Sequence, residues 1–145
     1  GTTVFIFGPS TALFENCEIR SKTNSYVTAA STPEDIAVGY VFKNCKLTAN
    51  PGVDKVYLGR PWRPYAATVF INCEMGKHIR PEGWHNWGKE ENEKTARYAE
   101  YNSTGEGAAP AGRVKWAKQL TKKEAAQYDD LNYIYRMCSD WKPEN

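Results

Sequence analysis

Two short segments hold the residue types best suited to chemistry. Tyr57-Leu58-Gly59-Arg60-Pro61-Trp62-Arg63-Pro64-Tyr65 and Arg80-Pro81-Glu82-Gly83-Trp84-His85-Asn86-Trp87 interleave guanidinium groups with aromatic rings. Glycine and proline break regular structure, so both read as turns that project these side chains outward. An exposed indole offers a flat face on which the C–H groups of a sugar can stack, and arginine can grip a carboxylate through two parallel N–H donors. Arg60, Trp62, Trp84 and Trp87 therefore suit an acidic polysaccharide. The competing reading is that the tryptophans only cover apolar flanks of the fold. His78 and His85 read as surface residues, because neither has an evident acid or serine partner in the sequence.

Composition narrows the alternatives. Nineteen Lys and Arg against seventeen Asp and Glu leave a net charge of +2, scattered along the chain, which gives no footprint for nucleic acid. No apolar run approaches the roughly 20 residues of a membrane helix, so no membrane partner is expected. With two histidines and no C-x-x-C spacing among four cysteines, a metal site has little to build on.

The elements that would position these turns come from a repeat. Phe14-Glu15-Asn16-Cys17-Glu18-Ile19, Phe42-Lys43-Asn44-Cys45-Lys46-Leu47 and Phe70-Ile71-Asn72-Cys73-Glu74-Met75 share the phrase F-x-N-C-x-(I/L/M), with 28 residues from each Phe to the next. An equal interval returns the chain to the same place one layer higher, which is a solenoid. Each copy follows a β-rich triplet, and Ser25-Tyr26-Val27-Thr28 and Lys55-Val56-Tyr57-Leu58 form a second column of strand-like stretches. The expected fold is all-β: a right-handed parallel β-helix with at least two strands per coil. The three asparagines read as a hydrogen-bonded corner ladder. The three cysteines would lie roughly 4.8 Å apart in the backbone. Neighbours could pair, but three in a row cannot all do so, which favours reduced, packing cysteines.

One domain spans 1–145 in this reading, with coils over about 1–101 and a C-terminal cap over about 102–145. Gly88 to Lys94 is a solvated charge run, Arg97-Tyr98-Ala99-Glu100-Tyr101 alternates like a last strand, and Thr121-Lys122-Lys123-Glu124 matches a capping box opening a short helix. Asn102-Ser103-Thr104 fits a glycosylation sequon, a pattern short enough to arise by chance.

Leu58-Gly59-Arg60-Pro61-Trp62, Pro81-Glu82-Gly83-Trp84 and Phe5-Ile6-Phe7-Gly8 with the following Phe14-x-Asn16-Cys17 resemble the pectin methylesterases, from the first residue to about Trp141. The resemblance implies a right-handed parallel β-helix that hydrolyses methyl esters of polygalacturonate, releasing methanol without a cofactor. It implies one Asp as nucleophile, a second as general acid and then base, and Gln side chains that stabilise the oxyanion. It gives Arg60 the role of holding the nucleophilic carboxylate, Trp62 that of packing on the galacturonate ring, and Phe7, Tyr65, Trp84 and Trp87 places along the groove. The implied partner is methyl-esterified homogalacturonan, and since pectin lies outside the cell, the chain is expected to be secreted, extracellular or periplasmic.

One departure matters most. The family phrase D-F-I-F-G opens with the nucleophile, and Val4 stands at that position here. No register slip restores it, since the first carboxylate of the chain is Glu15 and the first Asp is Asp35. The other Asp and the Gln residues belong upstream of the phrase. The expectation is a C-terminal part of a longer esterase, inactive alone; a degenerate homologue and an altered opening are the alternatives. A solenoid cut across its coils is expected to self-associate through the N-terminal coil. Pectate lyases and polygalacturonases would need calcium-binding carboxylate clusters or paired aspartates, whereas Asp54 stands alone near the candidate groove. Two non-enzymatic readings remain: a pectin-binding β-helix module that keeps the aromatic groove, and a purely structural solenoid.

Overall fold

Each turn of the chain consists of three strands joined at corners. The computed structural model describes residues 4–131 and the backbone of Tyr135–Met137. The first coil comprises β1 (Val4–Gly8), β2 (Ala12–Glu15) and β3 (Glu18–Ser21), and the second β4 (Tyr26–Ala30), β5 (Tyr40–Lys43) and β6 (Lys46–Ala49). The third comprises β7 (Tyr57–Pro61), β8 (Ala67–Ile71) and β9 (Glu74–Met75). Corresponding strands stack in parallel as β1-β4-β7, β2-β5-β8 and β3-β6-β9, which makes a parallel β-helix of three coils. The third column follows directly on each cysteine corner, so each coil has three strands where the sequence indicated at least two.

The 28-residue phrase is the register of the middle sheet, where Phe14 faces Phe42 and Phe42 faces Phe70. Their rings stack at 4.7 and 4.5 Å in the interior of the coil. A parallel ladder repeats the same side chain at one strand spacing, so identical aromatic rings fall naturally into offset stacks. Ile19, Leu47 and Met75 repeat the arrangement one strand on, all fully buried.

The corner between the second and third strands needs a left-handed residue. Asn16, Asn44 and Asn72 supply it with φ of 59, 55 and 54°, a conformation asparagine tolerates better than most side chains. Asn102, at φ 55°, is a fourth member, and its Nδ2 donates to Asn72 Oδ1 at 2.8 Å. The amide of the sequon thus belongs to the corner ladder. Cys45 and Cys73 are free and buried, as expected, and each thiol donates to a carbonyl of the coil before it, Phe14 O and Phe42 O. Cys17 departs from the expectation: it is disulfide-bonded. It is the end member of the column, and with its two repeat mates both free it pairs outside them.

After β9 the charge run ends in a short helix, α1 (Asn92–Thr95), and β10 (Arg97–Tyr101) extends the middle sheet beside β8. Here Glu100 falls opposite Phe70 and ends the phenylalanine stack with a buried carboxylate. Arg113 neutralises it, with Nε 2.7 Å from Glu100 Oε2, and Ser103 Oγ donates to Oε1 at 2.9 Å. Such a pair is tolerated only where both partners are well bonded, and Arg113 also donates to Gly107 O at 2.8 Å.

The tail then closes the stack at β11 (Lys118–Gln119), beside β10, and returns along the outer face of the middle sheet. Leu13, Val41 and Val69 on that face are buried with Leu131, and Leu120 and Tyr128 pack against them. The expected capping box is present: Thr121 Oγ1 accepts from Glu124 N and Glu124 Oε1 accepts from Thr121 N, opening α2 (Lys122–Ala125). The return ends with β12 (Tyr135–Met137) paired to β2. Among the described residues β1 and β3 remain end strands of their sheets.

Candidate functional site

The groove is built on the outer face of the β1-β4-β7 sheet, and a buried tryptophan on the inner side determines how β7 can lie. A Cβ on Gly59 would come within 2.3 Å of Thr28 Oγ1 and 3.1 Å of the Trp84 ring, so only glycine fits there. Gly59 and Trp84 form a parallel bridge, and the indole stacks on Tyr98 at 4.2 Å. Trp84, 1% exposed, is therefore a core plug behind β7. The expected place for it on the groove wall is corrected.

On the outward side Phe7, Ala29 and Arg60 are cross-strand partners in one row. The Arg60 guanidinium lies over Trp87, its Cζ 3.7 Å from the ring centroid, and 5.1 Å from that of Tyr26. Both distances are those of cation–π contacts. Burial lowers the proton affinity of Arg60, yet an arginine stays charged. No carboxylate pairs with it among the described residues, and its Nε is buried without a hydrogen-bond partner.

Trp87 reaches Arg60 because of an unusual turn. Its φ is 59°, a left-handed conformation that costs a bulky residue energy and that calls for a compensating role. Two side chains hold the turn: Trp87 N–H donates to His85 Nδ1 at 3.0 Å, and Gly88 N–H donates to Asn86 Oδ1 at 2.8 Å. His85 packs on Tyr57 at 5.0 Å between centroids, and Tyr57 stacks on Tyr26 at 5.3 Å. Burial, then the nearby Arg80 and Arg60 charges, push the His85 pKa down, which keeps Nδ1 free to accept. His78 is buried rather than on the surface as expected, and burial lowers its pKa as well.

Phe7 and Trp62 meet across the groove at 5.5 Å between centroids, both exposed. Together Val4, Phe7, Ala29, Arg60, Trp62 and Trp87 line an open cavity of about 390 Å³. Arg60 is its one charged group among the described residues. Of the residues singled out from sequence, the structure unites Arg60, Phe7, Trp62 and Trp87. Tyr65 lies in the turn beyond β7, where its carbonyl accepts from Arg97 Nε at 3.0 Å, and it does not line the cavity. Val4, flagged as the substituted nucleophile position, is a lining residue. Ala29 and Tyr26 were missed, and no repeat marks them: 22 residues separate Phe7 from Ala29 and 31 separate Ala29 from Arg60, because loops of unequal length intervene. No group of three or more His, Cys, Asp or Glu that could hold a metal ion occurs among the described residues.

Comparison with known proteins places this geometry in context. The family model described as Pectinesterase matches residues 1–137. Pectinesterase 31 of Arabidopsis thaliana is 42% identical over 135 residues, which cover 92% of this chain and 43% of the relative. A pectin methylesterase from carrot superposes with a TM-score of 0.78 at 34% identity, over 87% of this chain and 44% of that one. A pectin methylesterase mutant in complex with a hexasaccharide superposes with a TM-score of 0.72 at 30% identity, over 97% and 48%. The chain spans less than half the length of each of these proteins.

Proposed function

The chain belongs to the pectinesterase family, and from that premise we propose that its groove binds polygalacturonate of plant cell-wall pectin, the polymer whose methyl esters the family reaction converts to carboxylate and methanol. The single observation that carries this reading is the convergence of Arg60, Trp62, Trp87 and Phe7 on one open cavity. Exposed rings beside a charged group suit a sugar that is flat on its C–H face and acidic at its edge. A solved relative in complex with a hexasaccharide supports an oligosaccharide as ligand.

Ester hydrolysis by a carboxylate nucleophile needs an ionised carboxylate within reach of the ester carbonyl and a second, neutral one to protonate the leaving group. An adjacent arginine keeps the first ionised. Arg60 is present and Val4 stands where the resemblance puts the nucleophile, so this chain by itself binds pectin without turning it over. Val4 lining the same cavity as Arg60 supports that part of the proposal. The site takes no cofactor. The work is done outside the cytoplasm, extracellular or periplasmic, since that is where pectin lies, and the disulfide at Cys17 suits an oxidising compartment.

Titration calorimetry with polygalacturonate oligomers tests the binding. The chain is expected to bind, and Trp62→Ala is expected to weaken binding about tenfold through loss of one aromatic platform. Equal affinity of the variant would remove Trp62 from the site, and absence of any binding would leave the purely structural solenoid.

A further inference from the structure

Resting on that reading, we propose that the groove selects the free carboxylate of an unesterified galacturonate unit over its methyl ester, so that the chain reads demethylated stretches of the polymer. The reason lies in which surfaces of Arg60 are already used. Trp87, at 3.7 Å, and Tyr26, at 5.1 Å, give the guanidinium cation–π contacts, which supply no oxygen acceptor to its N–H donors. Those donors have no acceptor: Arg60 makes no ion pair among the described residues, and its Nε has no hydrogen-bond partner. Among the described residues the rest of the lining is Val4, Phe7, Ala29, Trp62 and Trp87, none of which carries an anionic group.

A lone cation in a mostly apolar cavity attracts an anion, because no resident carboxylate among the described residues competes for it or repels the ligand. A methyl ester can accept a hydrogen bond but brings no charge, and it leaves the guanidinium uncompensated. Valine at position 4 is thus more than the loss of a nucleophile. An aspartate lining the same cavity would be available to Arg60 and would repel a ligand carboxylate, whereas valine leaves the arginine to the ligand. The cavity volume of about 390 Å³ lies in the range of small-molecule sites.

The test is calorimetric titration with two oligogalacturonides of equal length, one fully methylated and one fully demethylated, at low and at high salt. The demethylated oligomer is expected to bind at least about tenfold more tightly, with the preference shrinking as salt rises. Val4→Asp is expected to abolish the preference by pairing with Arg60, and Arg60→Gln to abolish it by removing the charge; circular dichroism checks that both fold. Trp62→Ala is expected to weaken both oligomers alike, since stacking does not sense the ester. Equal binding of the two oligomers by the unaltered chain, or preference for the ester, would overturn carboxylate selection while leaving pectin binding in place. Binding of neither would overturn both.

Discussion

At the residue scale, the site depends on side chains that serve one another. Gly59 makes room for Trp84, Trp84 braces β7, and β7 presents Arg60 to Trp87. Gly59→Ala is expected to destabilise the fold by about 1–3 kcal/mol, since its Cβ would overlap Thr28 and the indole; chemical denaturation measures it. His85 and His78 give a pH dependence of definite sign. Both have lowered pKa values in the folded chain, so the unfolded chain binds more protons below the ordinary histidine value of 6.5. Stability from these groups is complete above pH 6.5 and is lost as pH falls through the folded values. Thermal melts between pH 7 and pH 5 are expected to show the decline, and His85→Gln to reduce it. Arg60 and Trp62 were legible in the sequence because their phrase is distinctive. The burial of Trp84 was not: two tryptophans three residues apart in one turn, Trp84 and Trp87, look alike in sequence, and only the inward bridge to Gly59 separates plug from groove wall.

At the scale of elements, the middle sheet was the most legible part, since its 28-residue register appears directly as F-x-N-C. Phe42, between Phe14 and Phe70 in the stack, is its central member. Phe42→Ala is expected to cost about 3–5 kcal/mol, more than most single substitutions, because neither neighbouring ring can collapse into the space while its strand stays in register. The fourth copy was hidden because three of its letters change: Glu100 replaces phenylalanine, Ser103 replaces cysteine and Gly105 replaces the final aliphatic, while Asn102 keeps the corner. Physical equivalence survived where residue identity did not. Removing one partner of the resulting buried pair, by Glu100→Ala, is expected to cost about 3–5 kcal/mol in urea denaturation, since Arg113 would keep a buried charge without its carboxylate. The first column resisted reading for a different reason. Its loops vary in length, so partners such as Phe7, Ala29 and Arg60 follow no constant interval.

For the whole molecule, a β-helix is a stack whose ends must be covered, and the two ends differ. At one end the Glu100–Arg113 pair and β11 close the last coil, and the returning tail covers the flank of the middle sheet as far as β2. At the other, β1 and β3 are end strands among the described residues and Phe5 is half exposed. Open edges of this kind pair with other strands, so the isolated chain is expected to self-associate with rising concentration, and light scattering would show a mass above that of the monomer. A constant monomer mass across a wide concentration range would count against such pairing. The groove crosses the face of the β1-β4-β7 sheet and takes in Val4 and Phe7 of the end strand, so association through β1 would bring a second copy against its rim. The most direct test of a pectin-binding groove without a nucleophile is methanol release from highly methylated pectin by the unaltered chain, at concentrations where calorimetry detects binding. No methanol above the buffer rate is the expected result; sustained release abolished by Arg60→Gln would show that the chain is a working esterase and that Val4 does not mark the loss of its chemistry.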